Sequence, residues 1–235
     1  MALHYSFPEG SDTSKVSMMI DSINSLYGGK PVSLSVHVKV TEDDSWESVV
    51  KKDPYFEDVR VIPSSQKFKS LILRDRFLKG VDVADYILTR LKCTHLKLEK
   101  LTYLCYADYL CKTGKKLFDD KIYAFKYGPV VETVRRKYDE ISKEHPGEYL
   151  QPQLLQFKPS HRLATRSRIT FSEDGTEKLF SIEDTISKYR HYTGEQLMAL
   201  THKEGTPWSI TYKAGEKFVP IADSTIKEYH LQEQV

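Results

Sequence analysis

The sequence predicts an α+β protein: a mainly helical C-terminal domain with a short strand or hairpin element, preceded by a small α/β unit. Three observations predict it. Leu34, Val36, Val38 and Val40 alternate with Ser33, Ser35, His37 and Lys39, the period of a strand with one wet face. From Leu101 to Cys111 only Thr102 and Asp108 are neither apolar nor aromatic, which describes a helix at the centre of a domain. From about Gly80 onward, capping residues and stops recur at helical spacing, so the texture changes there. The boundary divides the chain into residues 1–79 and 80–235.

In the first part, Val16, Met19, Ile20, Ile23 and Leu26 lie at helical spacing over Ser14–Tyr27, and Gly28-Gly29 supplies a stop. After the strand, the acidic run Glu42-Asp43-Asp44 leads into a short helix over Trp46–Val50. A second strand is predicted over Val59–Ile62, ended by Pro63. Phe68–Leu78 is apolar and stays open between helix and strand.

In the second part, Asp82 is read as the N-cap of a helix through Leu91, and Thr94 as the cap of the central helix, which Gly114 ends. Leu117–Val131 is the least regular stretch, with a turn or helix start at Gly128-Pro129. A polar helix follows over Glu132–Lys143, then a loop at His145-Pro146-Gly147 and a short strand over Arg168–Phe171. Ser172 is read as capping a helix to about Tyr189. Thr193-Gly194-Glu195-Gln196 is a capping box, Thr206-Pro207-Trp208 a helix start, and Asp223–Gln232 a last helix.

Composition narrows the function. With 35 basic and 33 acidic side chains the net charge is only +2, which gives no overall field for nucleic acid or an anionic membrane. The 3 cysteines contain no CxxC pair, which fits a reducing cytoplasm better than a disulfide frame or a zinc site. No apolar run approaches the ~18–20 residues of a membrane span. A cytoplasmic protein is therefore predicted. No GxGxxG or GxxxxGK[ST] loop occurs, and no cofactor or metal is predicted. The 15 tyrosines suit half-buried positions and protein interfaces.

Three segments carry a resemblance. The first is Asp82-Val83-Ala84-Asp85-Tyr86-Ile87 followed by Leu96-Lys97-Leu98-Glu99-Lys100-Leu101-Thr102-Tyr103. The second is Leu117-Phe118-Asp119-Asp120 followed by Ala124-Phe125-Lys126-Tyr127-Gly128-Pro129-Val130-Val131. The third is Leu200-Thr201-His202-Lys203-Glu204-Gly205-Thr206-Pro207-Trp208, closing with Ile226-Lys227-Glu228-Tyr229. Their order and spacing resemble the Panacea domain, also called SocA-like or phage-associated GepA-like, over about residues 80–231. The resemblance implies a bacterial antitoxin of a two-gene toxin–antitoxin system, of a kind often found on prophages. Its partner would be a cognate protein toxin, neutralised by direct binding, with delivery to a ClpXP-like protease as a further role. Two features depart from the family pattern. Tyr229 is followed by His230 where Tyr-Phe is common, and the α/β unit that precedes the domain is unfamiliar.

Several residues invite sharper readings. Tyr123, Phe125, Tyr127, Gly128, Pro129 and Val130 either cover the central helix or form a toxin-docking surface, since aromatics on a rigid turn make good interface anchors. Arg135 and Arg136 extend that candidate surface, or form an ordinary solvated helix face. Lys158, His161, Arg162, Arg166 and Arg168 make a second basic patch with the same ambiguity. His202 and Glu204 could support acid–base chemistry in a hydrolase, yet no nucleophile or second carboxylate accompanies them. The structural alternative is preferred: Glu204 answers the helix start at Pro207, and Trp208 packs into the core. Asp108, inside the apolar helix, needs a partner to be buried, and the sequence does not name it. A DNA-binding autoregulator ranks last, since no helix-turn-helix is evident. Homodimerisation stays open.

Overall fold

The computed structural model describes residues 2–7, 14–26, 36–144 and 161–234. The chain divides into two compact units, Met1–Arg76 and Phe77–Val235.

In the first unit, α1 (Ser14–Leu26) and α3 (Ser65–Asp75) bring Ile23, Phe68 and Ile72 together with Ile62 in a small core. The ambiguous Phe68 segment is thus helical, capped by Ser64, whose hydroxyl accepts the Lys67 N–H. Between them, α2 (Trp46–Lys52) is capped by Ser45 and runs into a 3-10 turn, Pro54–Phe56. The strand predicted at Val59–Ile62 is reduced to one parallel bridge, Ala2 with Val61.

The strand predicted around Val36–Val40 is not formed over residues 36–40; Ser33, Leu34 and Ser35, with the Gly28-Gly29 stop, lie outside the described residues. All five residues from 36 to 40 are exposed, so neither face of the segment is buried. Val38 and Val40 are both 84% exposed, whereas His37 meets the Phe56 ring at 5.2 Å and Lys39 pairs with Asp53 at 2.7 Å. Among the described residues no strand pairs with this segment, so the alternating valines gain no buried face.

The second unit is built around one helix. Preceding it, α4 (Gly80–Arg90) begins two residues before the predicted cap, Asp82. Lys79 is the cap, and Asp82 sits in the first turn with its carboxylate accepting the Lys79 N–H at 2.8 Å. The central helix α5 (His95–Thr113) starts at Thr94, as its sequence predicts, and stops where Gly114 turns left-handed (φ 74°) and donates to Leu110 O. Helices α4, α6 (Glu132–Glu144), α8 (Gly175–Tyr189), α9 (Gly194–Thr201) and α11 (Asp223–Tyr229) all pack on it. That encirclement buries Leu98, Leu101, Leu104, Tyr103, Tyr106 and Tyr109. Each such side chain contributes roughly 1.5–3 kcal/mol of apolar burial.

The stretch after α5 folds into an antiparallel hairpin, β1 (Ile122–Phe125) and β2 (Gly128–Val131), in register from Phe125 opposite Gly128 to Ile122 opposite Val131. Val219–Ile221 lines the other side of β1: Ala124 N–H donates to Val219 O at 2.9 Å, and Ile221 N–H to Ile122 O at 2.8 Å. The strand predicted at Arg168–Phe171 is instead the end of α7 (His161–Thr170) and the turn after it. Ile169, β-branched but fully buried, is better satisfied on a helix packed against α4 and α8. Ser172 does not cap α8. Its hydroxyl donates back to Ile169 O, and Asp174 takes the cap position. The Thr193–Gln196 capping box forms as read, and Thr206 caps α10 (Pro207–Thr211) with Pro207 at its first position. The last helix is shorter than predicted and tightens into a 3-10 turn, His230–Glu233. His145-Pro146-Gly147 and Lys158 lie outside the described residues, as do the side chains of His161 and Arg162. Among the described residues no helix is long and apolar enough to cross a membrane.

Candidate functional site

The hairpin needs help to stand at the edge of a helical domain, because four-residue strands leave backbone groups unpaired. Its register turns the Tyr123–Val130 pair inward to the ladder and leaves Pro129 C=O and Val131 N–H facing away from β1. Two adjacent residues of α5 meet them. Lys100 Nζ donates to Pro129 O at 2.8 Å, and Glu99 Oε2 accepts the Val131 N–H at 3.2 Å. Pro129 has no N–H to satisfy. One donor and one acceptor side chain thus act as the missing neighbour strand. Lys100 is 1% exposed, and burial pulls its pKa down to about 8 against the opposing Glu99 charge.

The turn is held from the other side by α9 and α10. Trp208 Nε1 donates to Phe125 O at 2.8 Å. Its indole lies between the His202 imidazole, stacked at 3.6 Å, and the Tyr212 ring at 4.7 Å. Burial, and then the nearby Lys100 charge, lower the His202 pKa, which disfavours the charged ring. Thr201 and Lys100 both crowd Gly128: a β-carbon there would lie 3.1 Å from Thr201 Oγ1 and 2.8 Å from Lys100 Cε. Segments far apart in sequence therefore converge on one hairpin turn. Glu204 is exposed, and among the described residues it forms no hydrogen bond to His202 or to the α10 start. The Thr206 hydroxyl accepts the Ser209 N–H in its place.

A Trp208→Phe chain keeps a ring in the stack but loses the bond to Phe125 O. It should lose about 1 kcal/mol of unfolding free energy. Urea denaturation followed by circular dichroism measures this. The remaining indole, Trp46, then reports on the first unit alone, since the chain has 2 tryptophans.

The outward face carries different chemistry. Tyr123 and Phe125 are half-buried on one side of β1, and Phe218 joins them at 5.5 and 5.3 Å in edge-to-face contacts. Arg135 lies over this trio, 5.0 Å from the Phe125 ring and 5.8 Å from that of Phe218. Tyr127, at the tip, is exposed beside Lys126. Gly128, Pro129 and Val130 are buried beneath this face, and Arg136 pairs with Glu132 at 2.8 Å. In the second basic patch, Arg168 turns inward to Phe77 O and Asp82, and Arg166 is exposed.

Asp108 finds its partner at the far end of the chain. His230, fully buried, sets Nε2 2.7 Å from Asp108 Oδ1 and Nδ1 2.8 Å from Glu233 Oε2. Thr185 donates to Asp108 Oδ2 and Tyr103 to Glu233 Oε2, both at 2.8 Å. Burial alone would lower the His230 pKa, but hydrogen bonds to the two carboxylates raise it to about 9. Asp108 is held below its usual value because its bonds from His230 and Thr185 outweigh burial. Glu233 goes the other way, since burial dominates there. His230 and Glu233 are fully buried and Asp108 is partly exposed, and the network ties the C-terminal turn to α5.

Residues 98–209 match a family model described as Antitoxin SocA-like, Panacea domain. The matched stretch contains Glu99, Lys100, the hairpin, Thr201, His202 and Trp208, and ends before Phe218 and His230. No curated protein and no solved structure matches the chain.

Proposed function

We propose that the protein is an antitoxin that neutralises its cognate protein toxin by direct binding, a reading that rests on the match of residues 98–209 to the SocA-like Panacea antitoxin model. One observation supports this reading above others. The converging segments position an aromatic and cationic face rather than a reactive group. Lys100, Glu99 and Trp208 are spent on backbone bonds, and His202 on a ring stack, while Tyr123, Phe125, Tyr127 and Arg135 face outward. Neutralisation would follow from covering the toxin's working surface, without catalysis by this chain. Handing the toxin to a ClpXP-like protease is a further step that the same binding would permit.

The test is co-expression with the product of each flanking reading frame. One product should arrest growth alone, be harmless alongside this chain, and co-purify with it. Toxicity that survives co-expression, or the lack of any toxic flanking product, defeats the reading. His202→Gln separates it from the hydrolase alternative: a binding protein retains suppression in proportion to its folded fraction, whereas a hydrolase loses activity with the fold intact.

A further inference from the structure

We propose that the hairpin face grips its partner through side chains alone, as an aromatic clamp with unpaired cations that accepts a protein patch bearing carboxylates beside an apolar side chain. This inference rests on the antitoxin reading and adds the mode of engagement and the chemistry of the partner.

Strand addition is the obvious way for a small sheet to bind a protein, and both edges here are closed to it. The outer edge of β2 has no N–H at Pro129, and its Pro129 C=O and Val131 N–H are already taken by Lys100 and Glu99. The outer edge of Val219–Ile221 is interrupted by Pro220, which also lacks an N–H. Just beyond it, the Ala222 carbonyl accepts the Ile226 N–H of α11 at 3.0 Å. What remains is the face.

That face is built for contact. Phe218 is 52% exposed although a left-handed backbone (φ 59°) is needed to present it beside Tyr123 and Phe125. Such a conformation in a bulky residue is unfavourable and persists only when its surroundings enforce it. The charges are uneven as well. Neighbouring cations are matched: Arg136 with Glu132, Lys137 with Asp85, and Lys213 with Glu216. Among the described residues, Arg135, Lys126 and Lys217 form no ion pair; Arg135 lies over the Phe125 and Phe218 rings, Lys126 over that of Tyr127, and the exposed Lys217 precedes Phe218 in the chain. A partner that supplies carboxylates gains charge pairing at the rim while its apolar side chain covers the trio. Single-stranded nucleic acid also stacks on aromatics, but it needs a basic groove that follows its backbone, and three cations around one cluster do not make a groove.

The experiment uses the toxic flanking product that the wild-type chain suppresses. Binding is titrated with purified full-length wild type, Arg135→Glu and Phe218→Asn. Asparagine tolerates the left-handed backbone, so that change removes the ring and leaves the loop intact. Each variant should melt like wild type yet bind at least about 30-fold more weakly, the scale of an interface hot spot. A lysine scan of the toxin's carboxylates should find a position whose reversal restores binding to Arg135→Glu. Binding within about threefold of wild type for both folded variants overturns the clamp and leaves the antitoxin reading standing. Displacement of the toxin by a single-stranded oligonucleotide at similar affinity overturns the partner class. If the wild-type chain suppresses no flanking product, the antitoxin reading fails and the clamp falls with it.

Discussion

Gly128→Ala should lower the stability of the second unit by about 3 kcal/mol, from two costs of about 1–3 kcal/mol each. The first is conformational. Gly128 sits at φ 103°, a region that L side chains rarely adopt. The second is steric. The new β-carbon would lie 2.8 Å from Lys100 Cε, 3.1 Å from Lys100 Nζ and 3.1 Å from Thr201 Oγ1. A lysine end can normally move aside. This one is buried and bonded to Pro129 O, so moving it leaves a desolvated ammonium and an unpaired carbonyl. A double-mutant cycle isolates the lysine's share: in a Lys100→Ala background that part of the steric cost disappears, while the Thr201 contact and the conformational part remain. Urea unfolding followed by Trp208 fluorescence provides the measurement. A loss under about 0.5 kcal/mol in the wild-type background would mean that the turn does not press on Lys100 as described. Under the proposed antitoxin function, because the turn carries Tyr127 and fixes Phe125, suppression of a toxin should also fall further than the folded fraction does.

The helix starts at Thr94, Thr193 and Thr206 were legible in the sequence because capping is local: the residue that caps and the N–H it satisfies lie within one turn. The hairpin was not. Its strands are four residues each, too short for a period-two pattern, and Gly128-Pro129 reads equally as a helix start. What makes it a hairpin is Glu99 and Lys100, about thirty residues upstream, acting on its free edge. The strand predicted around Val36–Val40 fails for the same kind of reason: alternation is local, but a strand needs a partner, and among the described residues none pairs with this segment. In the candidate site, the aromatic run Tyr123–Tyr127 and Arg135 were visible as types. Phe218 was not, because nothing in its own surroundings points to a hairpin ninety residues earlier. The need for a partner to Asp108 was readable from its apolar neighbours. Its identity was not, because His230 lies 122 residues further along the chain.

That pair sets the second large expectation, a loss of stability with rising pH that disappears in His230→Gln. The His230 pKa is raised from about 6.5 to about 9 in the folded chain. The folded state therefore holds a proton that the unfolded chain releases, and stability falls across that interval. The contribution is full below about pH 6.5 and gone above about pH 9, with a size on the order of 3 kcal/mol. Lys100 works in the opposite sense. Burial lowers its pKa to about 8, so from there up to about 10.5 the unfolded chain holds the extra proton and stability rises with pH. The absolute pH profile mixes the two, and the difference between wild type and His230→Gln cancels Lys100. That difference should be largest near pH 6 and close near pH 10, where wild-type His230 is neutral as well. Truncation is a harsher change. His230→Ala leaves Asp108 and Glu233 without their shared cation, and Glu233 Oε1 already lacks a hydrogen-bond partner among the described residues. Breaking a buried ion pair in this way costs about 3–5 kcal/mol and should free the C-terminal turn first. Amide exchange at Leu231–Gln234 would then rise well before exchange in α5. Equal exchange in both, or a pH-independent gap between wild type and His230→Gln, would show that the imidazole fills space in this core without holding it by charge.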